Sequence, residues 1–178
     1  MAVEFFCGKW LEKRLVLYAF SHMVVMPMAL IWMAQIGAGD ARLPLMIAWL
    51  AGLSFLSGAA FEVTRKMKAP EDERATIDSY TKAFGTQRTP VVVVGLLVSG
   101  SVFLGILILA IAPSLTFAPW LVALIVSLLP ALIALYQFRI EASARSAKRC
   151  EGFVALAMLA GYGLLIAAAI AERGVSWT

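Results

Sequence analysis

Five long runs of apolar residues decide what this chain can fold into. They cover about residues 15–37, 43–61, 90–112, 119–138 and 152–171. A helix needs about 20 apolar residues to cross the hydrocarbon core of a bilayer, and each run is compatible with such a span. The expected fold is therefore all-α: an integral membrane helical bundle of about five transmembrane helices, forming a single membrane domain over residues 1–178. Composition agrees where it bears on this. The chain is 62% hydrophobic and 15% charged, against about 25% charged in a soluble domain. Its mean hydropathy is +0.88.

The basic residues alternate with the spans. Lys9, Lys13 and Arg14 precede the first. Arg65, Lys66, Lys68, Arg74, Lys82 and Arg88 follow the second, and Arg139, Arg145, Lys148 and Arg149 follow the fourth. These thirteen of fifteen lie on one side of a five-span arrangement, with Arg42 and Arg173 on the other. The positive-inside rule then predicts a protein integral to the cytoplasmic membrane, with its N-terminus inside and its C-terminus outside. The net charge of +4 follows topology and does not suggest nucleic-acid binding.

Residues 1–14 interleave Phe5, Phe6, Trp10 and Leu11 with Glu4, Lys9, Glu12, Lys13 and Arg14. That pattern suits an interfacial helix; a frayed polar lead-in is the alternative. No cleavable signal peptide is visible. Cys7 and Cys150 lack partners at metal-ligand spacing, and reduced thiols are expected on the inner side. Ser54 and Gly58, and Ala157 and Gly161, are small pairs four apart that let helices approach closely. Pro27 and Pro130 fall mid-span, where kinks are expected. His22, the single histidine, is either a functional intramembrane group or a neutral imidazole bonded to a neighbouring helix.

The segment at 61–88, FEVTRKMKAPEDERATIDSYTKAFGTQR, holds five acidic and six basic residues in 28 positions. The second helix is expected to continue to about Lys68. Pro70 is expected to start another, with Glu71, Asp72 and Glu73 in its first turn, where carboxylates suit the dipole. Arg74–Asp78 and Asp78–Lys82 are helical i,i+4 pairs, and Gly85 is a C-terminal stop. A salt-bridged surface helix accounts for much of this pattern. It does not account for Glu62, Arg65 and Lys66 at the membrane edge, where charges are costly unless paired or hydrated. With the hydroxyls of Thr76, Ser79, Tyr80 and Thr81, the segment reads as a site for a polyanion and its metal.

Here the stretch E-x-x-R-K-x-x-x-P-E-D-E, then D-S-Y-T-K-x-F-G, with the earlier L-Y-A-F-S-H-M-x-V-M-P, resembles a divergent branch of the UbiA superfamily of membrane prenyltransferases. The resemblance covers most of this chain but only part of the family's length. Members have nine transmembrane helices and two acidic motifs that bind Mg²⁺ and an isoprenoid diphosphate. The resemblance implies that the five spans correspond to family helices 5 to 9 and the 62–89 segment to the second-motif loop on the cytoplasmic side, the side that the charge count gives independently. The first motif has no counterpart here, so the chain reads as a truncated reading frame, a fragment, or a half-protein that needs a second chain to supply that motif. The family's paired aspartates four apart are replaced by Glu62 followed by Lys66, while Asp72 and Asp78 are six apart.

The resemblance implies transfer of a prenyl group from an isoprenoid diphosphate to a lipid-soluble acceptor. Glu62, Asp72 and Asp78 are the implied catalytic residues. Glu62, Glu71, Asp72, Glu73 and Asp78 are the implied metal ligands. Arg65, Lys66, Arg74, Tyr80 and Lys82 are the implied substrate contacts, with Arg65 and Lys66 able to meet phosphate directly. The alternative is a non-catalytic membrane subunit or transporter-like half that assembles with a partner chain. The near absence of ionisable residues from the spans lowers ion transport. A CDP-alcohol phosphotransferase is disfavoured because D-G-x-x-A-R is absent.

Overall fold

The computed structural model describes residues 15–73, 79–114 and 116–174. The lead-in expected over residues 1–14, Arg74, Asp78 and both of their helical pairs lie outside these residues. Among the described residues there are six α-helices: α1 (Leu15–Ala38), α2 (Met46–Arg65), α3 (Tyr80–Phe84), α4 (Thr89–Ile111), α5 (Phe117–Glu141) and α6 (Ala144–Arg173). A 3-10 turn spans Pro70–Asp72. No strand occurs among the described residues. All the helices except α3 include a stretch long and apolar enough to cross a membrane, so the chain is an all-α membrane bundle.

Helices α2, α4, α5 and α6 pack on one another, and α1 packs chiefly on α2. Two apolar clusters fill the bundle. One lies toward the charged loop and joins Val63, Met67 and Tyr80 to Val93, Phe138 and Val154. The other joins Leu53, Leu107, Leu124 and Leu165. Small side chains make the first cluster tight: Ala60, Ala131 and Cys150 are fully buried, as expected where close backbone approach drives association. Gly161 faces α4, where an added Cβ would lie 3.2 Å from Leu104 Cδ2. Gly52 is more confined, because the Phe103 ring occupies the space a Cβ would need. That ring is held edge-on to Trp49 at 5.0 Å. Phe20, Met28, Trp32 and Ile36 of α1 point outward, a disposition suited to lipid.

Both helices containing mid-span prolines run through them, at Pro27 and Pro130. Three boundaries differ from expectation, each for a local reason. Helix α2 stops at Arg65 rather than near Lys68, and the chain turns so that Met67 and Ala69 are buried. Pro70 starts only a 3-10 turn, after which Glu73 is extended (φ −68°, ψ 127°). Helix α6 begins at Ala144 rather than near Gly152. Ala142 adopts the left-handed conformation (φ 45°), and a reciprocal Ser143–Ser146 capping box starts the helix at once. Gly85 does close α3, at φ +86°.

Candidate functional site

Near the end of α2, two cationic side chains about one turn away meet on a single carboxylate. Glu62 is buried, and both of its oxygens are used. Oε1 lies 2.8 Å from Lys66 Nζ, and Oε2 accepts from Arg65 Nη2 at 2.7 Å and Nε at 3.1 Å. The spacings i,i+3 and i,i+4 put all three on one helix face. The side chain of Glu62 is 8% exposed, that of Lys66 24% and that of Arg65 50%. The group therefore grades from apolar interior to open edge.

The segment after α2 folds back across this end. The Tyr80 amide donates to the Lys66 carbonyl at 3.4 Å. The Lys68 amide donates to Thr81 Oγ1 at 2.9 Å. Glu73 Oε1 accepts from Thr81 Oγ1 at 2.8 Å and from Ser79 Oγ. Ser79 Oγ also accepts the Lys82 amide at 2.9 Å, capping α3. This network explains why Pro70 starts no long helix: a helix through Glu73 would carry its carboxylate away from the two hydroxyls. Three further bonds pin the segment to the bundle. Glu71 Oε1 accepts the Ala144 amide at 3.0 Å. Gln87 and Arg139 bond reciprocally, through Gln87 Nε2 to the Arg139 carbonyl at 2.8 Å and Arg139 Nε to Gln87 Oε1 at 3.0 Å.

Tyr80 lies beneath this strap, 2% exposed, and its hydroxyl has no hydrogen-bond partner among the described residues. Burial pushes its pKa up to about 12, and the negative charge of Glu62 adds to the rise while Arg65 opposes it. Glu73 Oε2 is likewise a buried side-chain atom without a partner among the described residues. Buried polar atoms are normally satisfied, so these two mark the interior of the strap as a place for additional donors and acceptors.

The residues picked out by the resemblance are only partly gathered. Glu62, Arg65, Lys66 and Tyr80 come together. Glu73 joins the hydroxyl network, Glu71 reaches α6, and Asp72 and Lys82 are exposed. Arg74 and Asp78 lie outside the described residues. Among the described residues no three His, Cys, Asp or Glu side chains converge as a metal set, and Glu62 is taken by cations. Thr89, buried at the start of α4, was not picked out, although its hydroxyl sits 2.8 Å from the Gly85 carbonyl and 3.1 Å from that of Tyr80. A threonine before proline gives no signal of that role. Within the bundle, a partly open cavity of about 30 Å³ is lined by Leu53, Ser57, Ser101, Leu128 and Tyr162. No family model matches this chain, and no curated protein or solved structure matches it.

Proposed function

We propose that this chain is part of a UbiA-like membrane prenyltransferase, and that the Glu62 end of the bundle receives the diphosphate of an isoprenoid donor. The observation that carries this reading is the gathering of Arg65 and Lys66 on a buried carboxylate at the apolar boundary. A cation held there is already desolvated in part and positioned, which strengthens its attraction for phosphate oxygens. In the proposed reaction the carbon–oxygen bond between prenyl group and diphosphate breaks. The prenyl carbon bonds to the acceptor, which loses a proton, and diphosphate leaves against Arg65 and Lys66. Glu62 orients those cations, and Tyr80 supplies a neutral hydroxyl. The prenyl chain lies along outward apolar faces of the helices. Glu71 and Glu73 already have protein donors, so Asp72 and Asp78 are the carboxylates we assign to a Mg²⁺ that accompanies the diphosphate. The charged end faces the cytoplasm in this reading, and an acidic motif from outside these 178 residues completes the site.

A second reading, a non-catalytic membrane subunit, is favoured by one observation: Glu62, Glu71 and Glu73 are each engaged by groups of the protein itself. Thermal unfolding with a prenyl diphosphate analogue, with and without Mg²⁺, separates the readings. Stabilisation by the diphosphate well above that by the free prenyl alcohol, lost in Lys66→Met, supports the transferase site. Equal responses to the two compounds would leave only the subunit reading.

A further inference from the structure

Helix α6 carries a second group of cations, apart from the Glu62 cluster. Arg145, Lys148 and Arg149 line an open hollow of about 430 Å³ at its start. All three are exposed, and among the described residues none of them makes an ion pair. The hollow does not depend on the helix terminus, because that end is already satisfied. Ser143 and Ser146 form the capping box, and Glu71 takes the Ala144 amide. Glu71 meets the hollow's edge through Ala144, and Glu141 and Glu151 flank it along the chain.

The depth of the hollow narrows what it can hold. At about 1.5 Å per residue, the 30 residues of α6 extend well beyond a hydrocarbon core about 30 Å thick. The uncharged stretch 152–171 fills that core. Lys148 therefore stands about 6 Å outside its edge, at the level of lipid phosphates. Below it, Phe153 and Leu156 are exposed at i+4 and i+7 from Arg149, so the same helix face passes from cationic to apolar. A ligand matched to that face carries a phosphate at one end and acyl chain at the other.

The geometry points to a binding site for an anionic phospholipid at Arg145, Lys148 and Arg149, with its phosphate in the hollow and its acyl chain along Phe153 and Leu156. Since Glu71 tethers the 62–82 strap to Ala144 beside the hollow, the lipid also braces the strap.

The test uses the full chain purified in detergent and exposed to phosphatidylglycerol, phosphatidylcholine or inorganic phosphate. Lipid retained through gel filtration is measured by mass spectrometry, alongside thermal unfolding. Phosphatidylglycerol is expected to be retained in preference to phosphatidylcholine. Retention should fall by about fivefold for each cation removed, the effect of one basic side chain near an anionic surface. R145Q/K148Q/R149Q should reach the phosphatidylcholine level, and the charge-conserving R145K/R149K should keep preference. K68Q/R88Q, which removes two cations elsewhere, should also keep it. Unchanged retention by the triple variant would overturn the proposal. Equal loss in K68Q/R88Q would reduce the effect to net charge, and equal stabilisation by inorganic phosphate would show a free-anion site instead; either overturns it.

Discussion

Glu62→Gln is the substitution that most directly probes the charged end of the bundle. It keeps the shape of the side chain and one acceptor oxygen but removes the charge that holds two cations. A hydrogen bond to a charged group contributes about 1.5–3 kcal/mol. The Arg65 contact must be discounted, because that side chain is 50% exposed and exposed pairs contribute roughly 0–1 kcal/mol. The Lys66 contact, 24% exposed, keeps most of its value. The expected loss is about 2 kcal/mol, measured by equilibrium unfolding in mixed micelles. A double-mutant cycle with Lys66→Met should assign more than half of it to the Lys66 pair. The same substitution should lower the titration of Tyr80 from about 12, because an anion opposing tyrosinate is gone; Tyr80→Phe identifies the signal. The sign for stability follows. A raised tyrosine pKa contributes stability that is full below pH ~10, the ordinary tyrosine value, and is lost as pH rises through about 12. Glu62→Gln should narrow that window. A stability loss under ~0.5 kcal/mol, within the range of an exposed pair, together with an unmoved Tyr80 titration, would refute the reasoning.

Two further outcomes are expected. Gly52→Ala should destabilise by about 1–3 kcal/mol through overpacking, and Phe103→Leu should recover much of it by vacating the space. A lone cysteine placed at exposed Lys68 in a background with Cys7 and Cys150 replaced should react with an impermeant maleimide only after cells are opened; labelling of intact cells would reverse the proposed orientation.

The spans were legible because a transmembrane helix is specified by its own residues. Apolar runs near 43–61 and 152–171 needed no knowledge of what they pack against. Their ends were less so. Pro70 and the three acids after it carry every local mark of a helix start, yet Glu73 is drawn away by the hydroxyls of Ser79 and Thr81, and local signals hold no information about that competition. In the candidate site, charge density and spacing were enough to single out Glu62, Arg65 and Lys66. The bonds from Glu71 to Ala144 and from Gln87 to Arg139 were not legible, since each joins residues more than fifty positions apart through side chains that are unremarkable singly.

The reversal between α5 and α6 also acts as a ruler. Only Ala142 and Ser143 separate Glu141 from Ala144, and Ala142 is held left-handed. The two helices thus cannot slide, and their small residues are matched by covalent connection rather than by choice among registers. An insertion of one residue there would offset one wall of the seam by about 1.5 Å and turn it by about 100°. Ala131, Ala134 and Cys150, buried together in one cluster, would then lose their present packing. Change in this chain is better tolerated along the strap than at that corner.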